Sequence, residues 1–231
     1  DESKTVNMTF FVDPGKRVYV RRINMTGNTK TRDEVLRREL RQMESSWASS
    51  AKIERSKIRL QRLGYFEEVN IETPPVVGTS DQIDVNYSVV EKSSGNLSAG
   101  VGFSQTQGIV FNANVSQDNV FGSGKRVNLA FNNSSVSTRY SFGYFDPYFT
   151  LDGVSFGYDL GYSARDAEEA NISNYSTDVI NSSFNFGLPL NENDRLRFNI
   201  DLKHTKLETS DFSSDEILTF IENNGDKYIT L

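Results

Sequence analysis

The fold is decided by residues 96–116, NLSAGVGFSQTQGIVFNANVS, in which apolar side chains recur at every second position on both sides of a polar turn. Leu97 to Phe103 is the first alternating run, and Ile109 to Val115 is the second. Successive side chains of a β-strand point to opposite faces, so a period of two indicates strands with one apolar and one polar face. The short polar segment 104–108 predicts that the two strands form an antiparallel hairpin.

The same alternation continues along the second half of the chain, where no helix is expected after Lys92. Five further apolar sets each predict one more strand. These sets are Val127, Leu129 and Phe131; Tyr140, Phe142 and Tyr144; Val154, Phe156, Tyr158, Leu160 and Tyr162; Ile180, Phe184, Phe186 and Leu188; and Leu196, Phe198, Ile200 and Leu202. The sequence therefore predicts an all-β antiparallel region of about seven strands.

Two architectures fit such a region: a soluble sandwich with a dry core, and a membrane barrel. Aromatic residues near the strand ends, a polar second face, and connections of alternating length favour the barrel. Short connections such as 121–125 alternate with long polar ones at about 163–178 and from 204 onward. Seven strands that start on the periplasmic side do not close a bacterial barrel of even strand number. We therefore predict an incomplete barrel with open edges at its first and seventh strands.

The first half of the chain mixes strand and helix patterns. A strand is predicted from Val18 to Met25, with a slip of register at Arg21-Arg22. A helix beginning near Thr31 carries Leu36, Leu40 and Met43 at helical spacing, and a second helix precedes Gly64. The remaining predicted elements are the second helix at about Ser50 to Leu63 and two strands at Phe66 to Thr73 and Ile83 to Val90. The order strand, helix, helix, strand, strand predicts a small α+β domain.

The composition excludes several classes of function. The chain contains no cysteine and one histidine, His204, and its formal net charge is −6. Thiolate metal sites and cysteine nucleophiles are therefore absent, and the charge does not favour nucleic-acid binding. The acidic residues Asp166, Glu168 and Glu169 lack the glycine-punctuated spacing of a calcium loop. We therefore predict no catalytic residues, no metal and no cofactor, and we interpret the protein as not an enzyme.

The junction of the two halves resembles the BamA family, which assembles β-barrels in the outer membrane of Gram-negative bacteria. The resemblance covers essentially the whole chain. In the first half, to be compared with the last POTRA (polypeptide-transport-associated) domain of the family, it rests on VYVRRI (18–23), GNT (27–29), LRRELRQME (36–44), Trp47 and RLGYF (62–66). In the second half it rests on GVGF (100–103), QDN (117–119), FGSG (121–124), DPYFT (146–150) and DGVS (152–155). The domains implied are the end of a preceding POTRA domain at 1–14, the last POTRA domain at 15–92, and the N-terminal part of a transmembrane barrel at 93–231.

The resemblance implies that the protein folds and inserts other outer-membrane barrels without making or breaking bonds. POTRA edges are expected to capture extended substrate strands by β-augmentation, and the seam beside the first barrel strand is expected to open as a lateral gate. The residues implied in that gate strand are Gly95, Leu97, Ala99, Gly100, Val101, Gly102 and Phe103. A passive secretion pore and an enzyme-bearing barrel with an upstream catalytic domain remain as alternatives, which the sequence upstream of residue 1 distinguishes.

The resemblance also implies partners and a location. In the family, the last POTRA domain binds the lipoprotein BamD, and the residues that match this role by position are Glu44, Arg37 and Arg38. Arg37, Arg38 and Arg41 are expected to give the preceding helix a basic face, on which Glu44 is the acidic exception. The other expected partners are unfolded outer-membrane proteins and the lipid bilayer. The barrel is expected in the outer membrane, with the POTRA domain in the periplasm.

Overall fold

The structure, a computed structural model, describes residues 8–11, 17–167, 174–210 and 213–231. The chain divides into two compact units, one formed by Asp1–Thr29 with Leu36–Glu91 and one formed by Lys30–Val35 with Lys92–Leu231. The predicted fold class is confirmed, because an α+β region is followed by an antiparallel sheet that is not closed into a barrel. No helix within the described residues is long and apolar enough to cross a membrane.

The first half contains the five elements that the sequence predicts, in the predicted order. Its three strands form one sheet in the order β1-β3-β2, with β1 parallel and β2 antiparallel to β3. The register of β1 shifts between Val20 and Arg22, which confirms the predicted slip. The elements are β1 (Tyr19–Thr26), α1 (Asp33–Arg37), α2 (Ser50–Arg62), β2 (Phe66–Glu72) and β3 (Gln82–Glu91).

Alternate residues of the three strands are buried on one face of the sheet, and this face forms the core. Ser49 begins α2 as its N-cap, accepting a hydrogen bond from the backbone N–H of Lys52 at 3.4 Å. The helix contacts β2 and buries Ser56 and Leu60. Burying apolar side chains from both layers is what holds a helix on a sheet. The buried apolar side chains include Val20, Ile23, Leu36, Leu40, Leu60, Phe66, Val69, Val85, Tyr87 and Val89.

The first helix is shorter than predicted. The spacing of Leu36, Leu40 and Met43 predicted a helix through Met43, but α1 ends at Arg37. Leu36 and Leu40 are buried, whereas the side chain of Met43 is 63% exposed. After α1 the backbone forms tight turns, in which the amides of Glu39 and Leu40 donate to carbonyls three residues earlier. Two apolar residues four apart therefore reach the core from a turn as well as from a helix.

The second half forms one antiparallel sheet of eight strands, in which every neighbour along the sheet is also a neighbour along the chain. All seven predicted strands are present. The sixth and seventh strands are the longest, with 15 residues each, because their pairing continues into segments that were predicted as loops. The strands are β4 (Gly95–Ser104), β5 (Gly108–Gln117), β6 (Arg126–Asn133), β7 (Ser137–Asp146), β8 (Ser155–Asp166), β9 (Tyr175–Pro189), β10 (Arg195–Thr209) and β11 (Lys227–Thr230).

Three expectations about this sheet are wrong. An eighth strand, β11, pairs with Lys203–Lys206 of β10, so the edges of the sheet are β4 and β11 rather than the first and seventh strands. A helix, α3 (Asp215–Asn224), lies in the connection from 204 onward, where only strand and turn were expected. The connection predicted at 163–178 contracts to 167–174, because β8 continues to Asp166 and β9 starts at Tyr175.

The apolar face of the sheet carries rows of aromatic rings across neighbouring strands. Phe156 lies 5.2 Å from Phe149 and 5.2 Å from Phe186, measured between ring centroids. Tyr158 and Phe184 form a second cross-strand pair at 5.1 Å. On the opposite face, Nδ2 of Asn185 donates to Oδ2 of Asp159 at 3.0 Å. One face is thus apolar and the other is hydrogen-bonded and polar.

Candidate functional site: the edges of two sheets

The first strand of the large sheet, β4, contains all seven residues of the predicted gate strand. It pairs with β5 along its whole length, from Gly95 opposite Gln117 to Ser104 opposite Gly108. Within the described residues, no strand pairs with its other edge. The N–H and C=O groups along that edge are therefore available to another strand.

The side chains of β4 leave this strand thinly covered. Leu97, Val101 and Phe103 are 75%, 71% and 79% exposed, and the residue between them, Ala99, is small. On the polar face, the side chain of Asn112 lies over Gly100, since a Cβ atom there would come within 2.9 Å of its Oδ1. At Gly102 a Cβ atom would meet nothing within 4 Å. The strand is held mainly by its backbone pairing to β5.

The three-stranded sheet has two edges of different character. Its sheet order leaves β2 on one side, where no other strand pairs with it in the described part of the chain. On the other side, β1 is covered by residues 45–48, because the amide of Val20 donates to the carbonyl of Ser46 at 3.0 Å and the amide of Ala48 donates to that of Val18 at 2.9 Å. We call residues 45–48 the strap. Within the described residues, the open edges are thus β2 in the small sheet and β4 and β11 in the large one.

The residues predicted to bind a lipoprotein lie beside the strap. Oε1 of Glu44 accepts a hydrogen bond from the backbone N–H of Ile23 at 2.8 Å, and Nη2 of Arg37 donates to the carbonyl of Ile23 at 3.3 Å. Nη1 of Arg37 is 3.9 Å from Oε1 of Glu44. Glu44 is therefore part of the hydrogen bonding of β1 as well as a surface carboxylate.

The predicted basic helix face is wrong. Because α1 ends at Arg37, both Arg38 and Arg41 follow the helix, and both are half-buried. Nη1 of Arg41 turns onto the carbonyl of Leu40 at 3.1 Å. The arginine guanidinium thus satisfies a backbone carbonyl of the turn that ends this segment.

The residue that organises the strap, Gln42, was not identified from the sequence. It is fully buried, and its Nε2 donates to Oγ of Ser46 at 2.8 Å and to the carbonyls of Met43 and Trp47 at 3.1 Å each. Its Oε1 accepts from the amide of Ser49 at 3.0 Å. A glutamine adds nothing to the apolar periodicity of its segment, so only the folded structure reveals this role.

Exposed aromatic rings lie where β1 pairs with the strap. Tyr19 of β1 stacks on Trp47 of the strap with ring centroids 3.9 Å apart, and the guanidinium of Arg17 lies 5.5 Å from the Trp47 ring centre. Both rings and Met43 are exposed. Exposed aromatic and methionine side chains next to charged groups are typical of protein interfaces.

The electrostatics of the small sheet are dominated by one pair on its outer face. Nη2 of Arg21 is 2.5 Å from Oδ2 of Asp84, and Nε of Arg21 donates to Oδ1 at 2.9 Å. This fork of hydrogen bonds from Arg21 lowers the pKa of the Asp84 carboxyl. The pair joins β1 to β3, away from the outer edge of β1.

No group of metal-ligating side chains is present among the residues that the structure describes. His204 lies within β10 opposite Ile229, and Asp166 ends β8. The other members of the predicted acidic cluster, Glu168 and Glu169, lie outside the described residues.

Comparisons with known proteins agree with this architecture. A POTRA family model, described as a surface antigen variable number repeat, matches residues 18–92, and the Omp85 superfamily domain matches residues 119–231. The outer membrane protein assembly factor BamA of Neisseria meningitidis serogroup B is 41% identical over 226 residues, which are 97% of this chain and 28% of that protein. BamA of Buchnera aphidicola is 31% identical over 212 residues, which are 91% of this chain and 34% of that protein.

A solved structure extends the comparison to three dimensions. The crystal structure of BamA from Haemophilus ducreyi lacking POTRA domains 1–3 superposes with a TM-score of 0.72 at 31% identity, covering 94% of this chain and 43% of that one. The chain thus spans less than half the length of each of these relatives. Since a POTRA domain is followed by an Omp85 superfamily domain, and BamA proteins match nearly the whole chain, the chain belongs to the BamA family.

Proposed function

We propose that the protein folds and inserts β-barrel proteins into the bacterial outer membrane by pairing their strands with its own unpaired strand edges. The observation that carries this proposal is the outer edge of β4, which no strand of the described residues pairs with, in a sheet with one apolar face. In a bilayer, each unsatisfied N–H or C=O group costs several kcal/mol, so an open edge demands a partner strand. A terminal strand of an unfolded barrel protein meets that demand.

The composition of β4 suits it to an edge that opens and closes. Its glycines at 95, 100 and 102 and its small residue Ala99 provide little side-chain packing. Glycine also weakens a strand, since it loses the most backbone freedom on folding. When a substrate strand takes the place of another partner along β4, the backbone hydrogen bonds that are broken form again with the substrate. Few side-chain contacts are lost in the exchange.

We assign the earlier capture of substrate to the POTRA domain. An extended chain adds to an exposed sheet edge through main-chain hydrogen bonds, which accept many sequences. The outer edge of β2 offers such a row of groups. In this proposal residues 15–92 form the last POTRA domain in the periplasm, and residues 93–231 begin the barrel in the outer membrane. The end of a preceding POTRA domain, expected at 1–14, lies mostly outside the described residues. The work is done by strand pairing, so the proposal includes neither a catalytic residue nor a cofactor.

Disulfide trapping tests the role of β4. Residues 1–231 contain no cysteine, so once any cysteine elsewhere in the full-length protein is replaced by serine, an introduced cysteine is the only one. Ser98→Cys in the full-length protein should form disulfides with cysteines in the terminal strand of a barrel substrate during assembly. Asp159→Cys, in the interior strand β8, is the matched control and should form none. Equal trapping at both positions, or none at Ser98→Cys during productive assembly, would contradict the proposal.

We also propose that Glu44, Arg37 and Arg38 bind the lipoprotein BamD, with the aromatic surface of Tyr19 and Trp47 alongside. Glu44 is about half exposed, and Tyr19 and Trp47 are exposed on β1 and on the strap. An interfacial charge pair that loses one partner costs about 2–5 kcal/mol when it is buried and less at a rim. Glu44→Lys should therefore weaken co-purification of the lipoprotein, and an opposite reversal on the partner should restore it.

The contact between Glu44 and Ile23 makes a second variant necessary. Glu44→Gln keeps an oxygen that accepts from the Ile23 amide but removes the charge. If a charge pair binds the lipoprotein, Glu44→Gln weakens co-purification as Glu44→Lys does. If Glu44→Gln co-purifies normally and only Glu44→Lys fails, the carboxylate supports β1 and does not bind the partner.

A further inference from the structure

The outer edge of β1 is closed in two sections by different means. The first section, Val18 to Val20, pairs with the backbone of the strap, where the amide of Ser45 also donates to the carbonyl of Val20 at 2.7 Å. The strap then leaves the edge, because Ser45 has a positive φ of 56° and turns the chain away. The second section begins at Ile23, beyond the bulge between Val20 and Arg22.

At Ile23, side chains replace the missing backbone. A neighbouring strand would offer one C=O to accept from the Ile23 amide and one N–H to donate to its carbonyl. Oε1 of Glu44 provides the acceptor at 2.8 Å, and Nη2 of Arg37 provides the donor at 3.3 Å. The two side chains approach each other at 3.9 Å. Together they occupy both backbone groups of one residue as a paired peptide unit would.

The two sections differ in how firmly they are closed. The strap is held by the buried side chain of Gln42, whose Nε2 donates hydrogen bonds to Ser46 and Trp47. The side chains of Arg37 and Glu44 are 45% and 46% exposed, so water competes for both of them. The edge can therefore open at Ile23 while the strap stays in place.

We propose that Arg37 and Glu44 form a side-chain lock on β1, and that this lock confines the capture of extended polypeptides to the β2 edge. Opening the lock exposes the amide and carbonyl of Ile23 to an unfolded barrel strand. Native sheets protect their edges in this way against unwanted pairing. The inference rests on the proposed capture of strands by the POTRA domain, and it adds which edge captures and which residues prevent capture at the other.

Photocrosslinking tests the lock in the full-length protein in lipid nanodiscs. A photoreactive residue at Asn24 reports on the β1 edge, and one at Asn70 reports on the β2 edge. The probe is a biotinylated peptide of residues 155–166, a strand of the large sheet.

We expect crosslinks at Asn70 and few at Asn24. Combining Arg37→Ala with Glu44→Ala should raise the Asn24 crosslinks about tenfold and leave those at Asn70 unchanged, because the opened edge gains a free amide and carbonyl. Glu44→Gln is the matched control for the crosslinks alone: it keeps an oxygen that accepts from the Ile23 amide, so its crosslinks at Asn24 and Asn70 should equal those of the unaltered protein.

Residue-resolved hydrogen exchange separates failure of the lock from failure of capture. The Ile23 amide should exchange about tenfold faster in the double variant than in the unaltered protein, while Val85 and Val89 of β3 keep their protection. Unchanged exchange at Ile23 overturns the lock whatever the crosslinks show. Faster exchange without any new crosslink at Asn24, while Asn70 captures the peptide, overturns its role in confining capture. Absence of crosslinks at both positions overturns capture by the POTRA domain. The exchange rate at Ile23 then decides alone whether Arg37 and Glu44 close the edge.

Discussion

The first strands of the two sheets, β1 and β4, present opposite solutions to the same problem. Each has one edge paired to a neighbour in its own sheet. The other edge of β1 is covered by the strap and by the side chains of Arg37 and Glu44. The other edge of β4 has no strand partner within the described residues. One strand is therefore protected by its own chain, and the other requires a partner.

The difference lies in the segment that comes after each strand along the chain. After β1, the segment between α1 and α2 returns to the edge, fixed by one buried glutamine. After β4, the chain makes a hairpin at 105–107 and goes directly into β5. A strand edge is closed when a neighbouring segment has both the length to return and a buried polar side chain to hold it. Without these features, pairing groups stay open to other molecules.

The largest expected effect is the contrast in hydrogen exchange between β4 and an interior strand. Amides of 96–104 should exchange about a thousandfold faster than those of 155–162, equivalent to about 4 kcal/mol of local stability. The reason is that β8 has paired neighbours on both sides and packs Tyr158 against Phe184 with ring centroids 5.1 Å apart, whereas β4 has one strand neighbour within the described residues. The measurement is hydrogen exchange on the full-length protein in a bilayer without substrate.

The same experiment contains its own control. Amides of β5 pair with β4 on one side and β6 on the other, so they should show intermediate protection. Equal protection of 96–104 and 155–162 would mean that the seam is as stable as the rest of the sheet. The gating role of β4 would then have to be withdrawn.

Hydrophobic periodicity predicted most of the fold, because burial on one face imposes a period of two on every strand. All seven predicted strands exist, and even the irregularity in β1 was visible, since Arg21 and Arg22 interrupt the alternation. The helix α3 was missed although its sequence carries start and stop signals. Ser214 precedes two acidic residues in its first turn, and Gly225 follows its end.

The candidate sites were less predictable, because they depend on side chains meeting backbone groups far away in the sequence. Glu44 was identified by resemblance as a partner residue, but nothing in the sequence indicates that it reaches Ile23. Gln42 was overlooked for the same reason. A helical pattern in Leu36 and Leu40 was also compatible with a turn, because both residues reach the core. Patterns identify which residues are buried but not which polar groups they satisfy.

Removing the glutamine under the strap should remove the difference between the two edges. Gln42→Leu removes four hydrogen bonds of the buried side chain, including those to the amide of Ser49 and the carbonyl of Trp47. Each such hydrogen bond contributes about 0.5–1.5 kcal/mol, so we expect a loss of about 3 kcal/mol in the stability of residues 18–92. Hydrogen exchange of residues 18–23 measures the opening of the β1 edge.

Gln61→Leu, on the exposed side of α2, is the matched control for this variant and should change the stability by less than about 0.5 kcal/mol. If Gln42→Leu leaves residues 18–23 as protected as before, the strap is held by its backbone pairing alone. The contrast between β1 and β4 would then owe nothing to a buried side chain.

A glycine pair tests how closely β1 is fixed to β3 on its paired side. Gly27, just after β1, has a φ of 87°, and a Cβ atom there would lie 1.9 Å from the carbonyl oxygen of Val89. Gly78 has a φ of 85° with nothing within 4 Å of a Cβ atom. Gly78→Ala should cost about 1 kcal/mol for its backbone conformation, and Gly27→Ala about 2 kcal/mol more for the overlap. Denaturant unfolding of the two variants measures both costs, and equal costs would show that β3 yields to the added methyl group.

The smallest expected effect is a pH dependence that leaves the outer edge of β1 untouched. The hydrogen-bonded guanidinium of Arg21 lowers the pKa of Asp84, so in the folded protein this carboxyl stays ionised to lower pH than in the unfolded chain. Its contribution to stability is therefore present above the unfolded pKa and is lost as the pH falls through the lowered, folded one.

Asp84→Asn should reduce stability at pH 7 and make no difference once the carboxyl of the unaltered protein is protonated. Asp81→Asn, in the exposed turn before β3, is the matched control for the loss of a surface carboxylate. Because Arg21 and Asp84 join β1 to β3, exchange at the Ile23 amide should not follow this titration. If it did, the two edges of β1 would be coupled, and closure by the strap and the lock could not be considered apart from the pairing with β3.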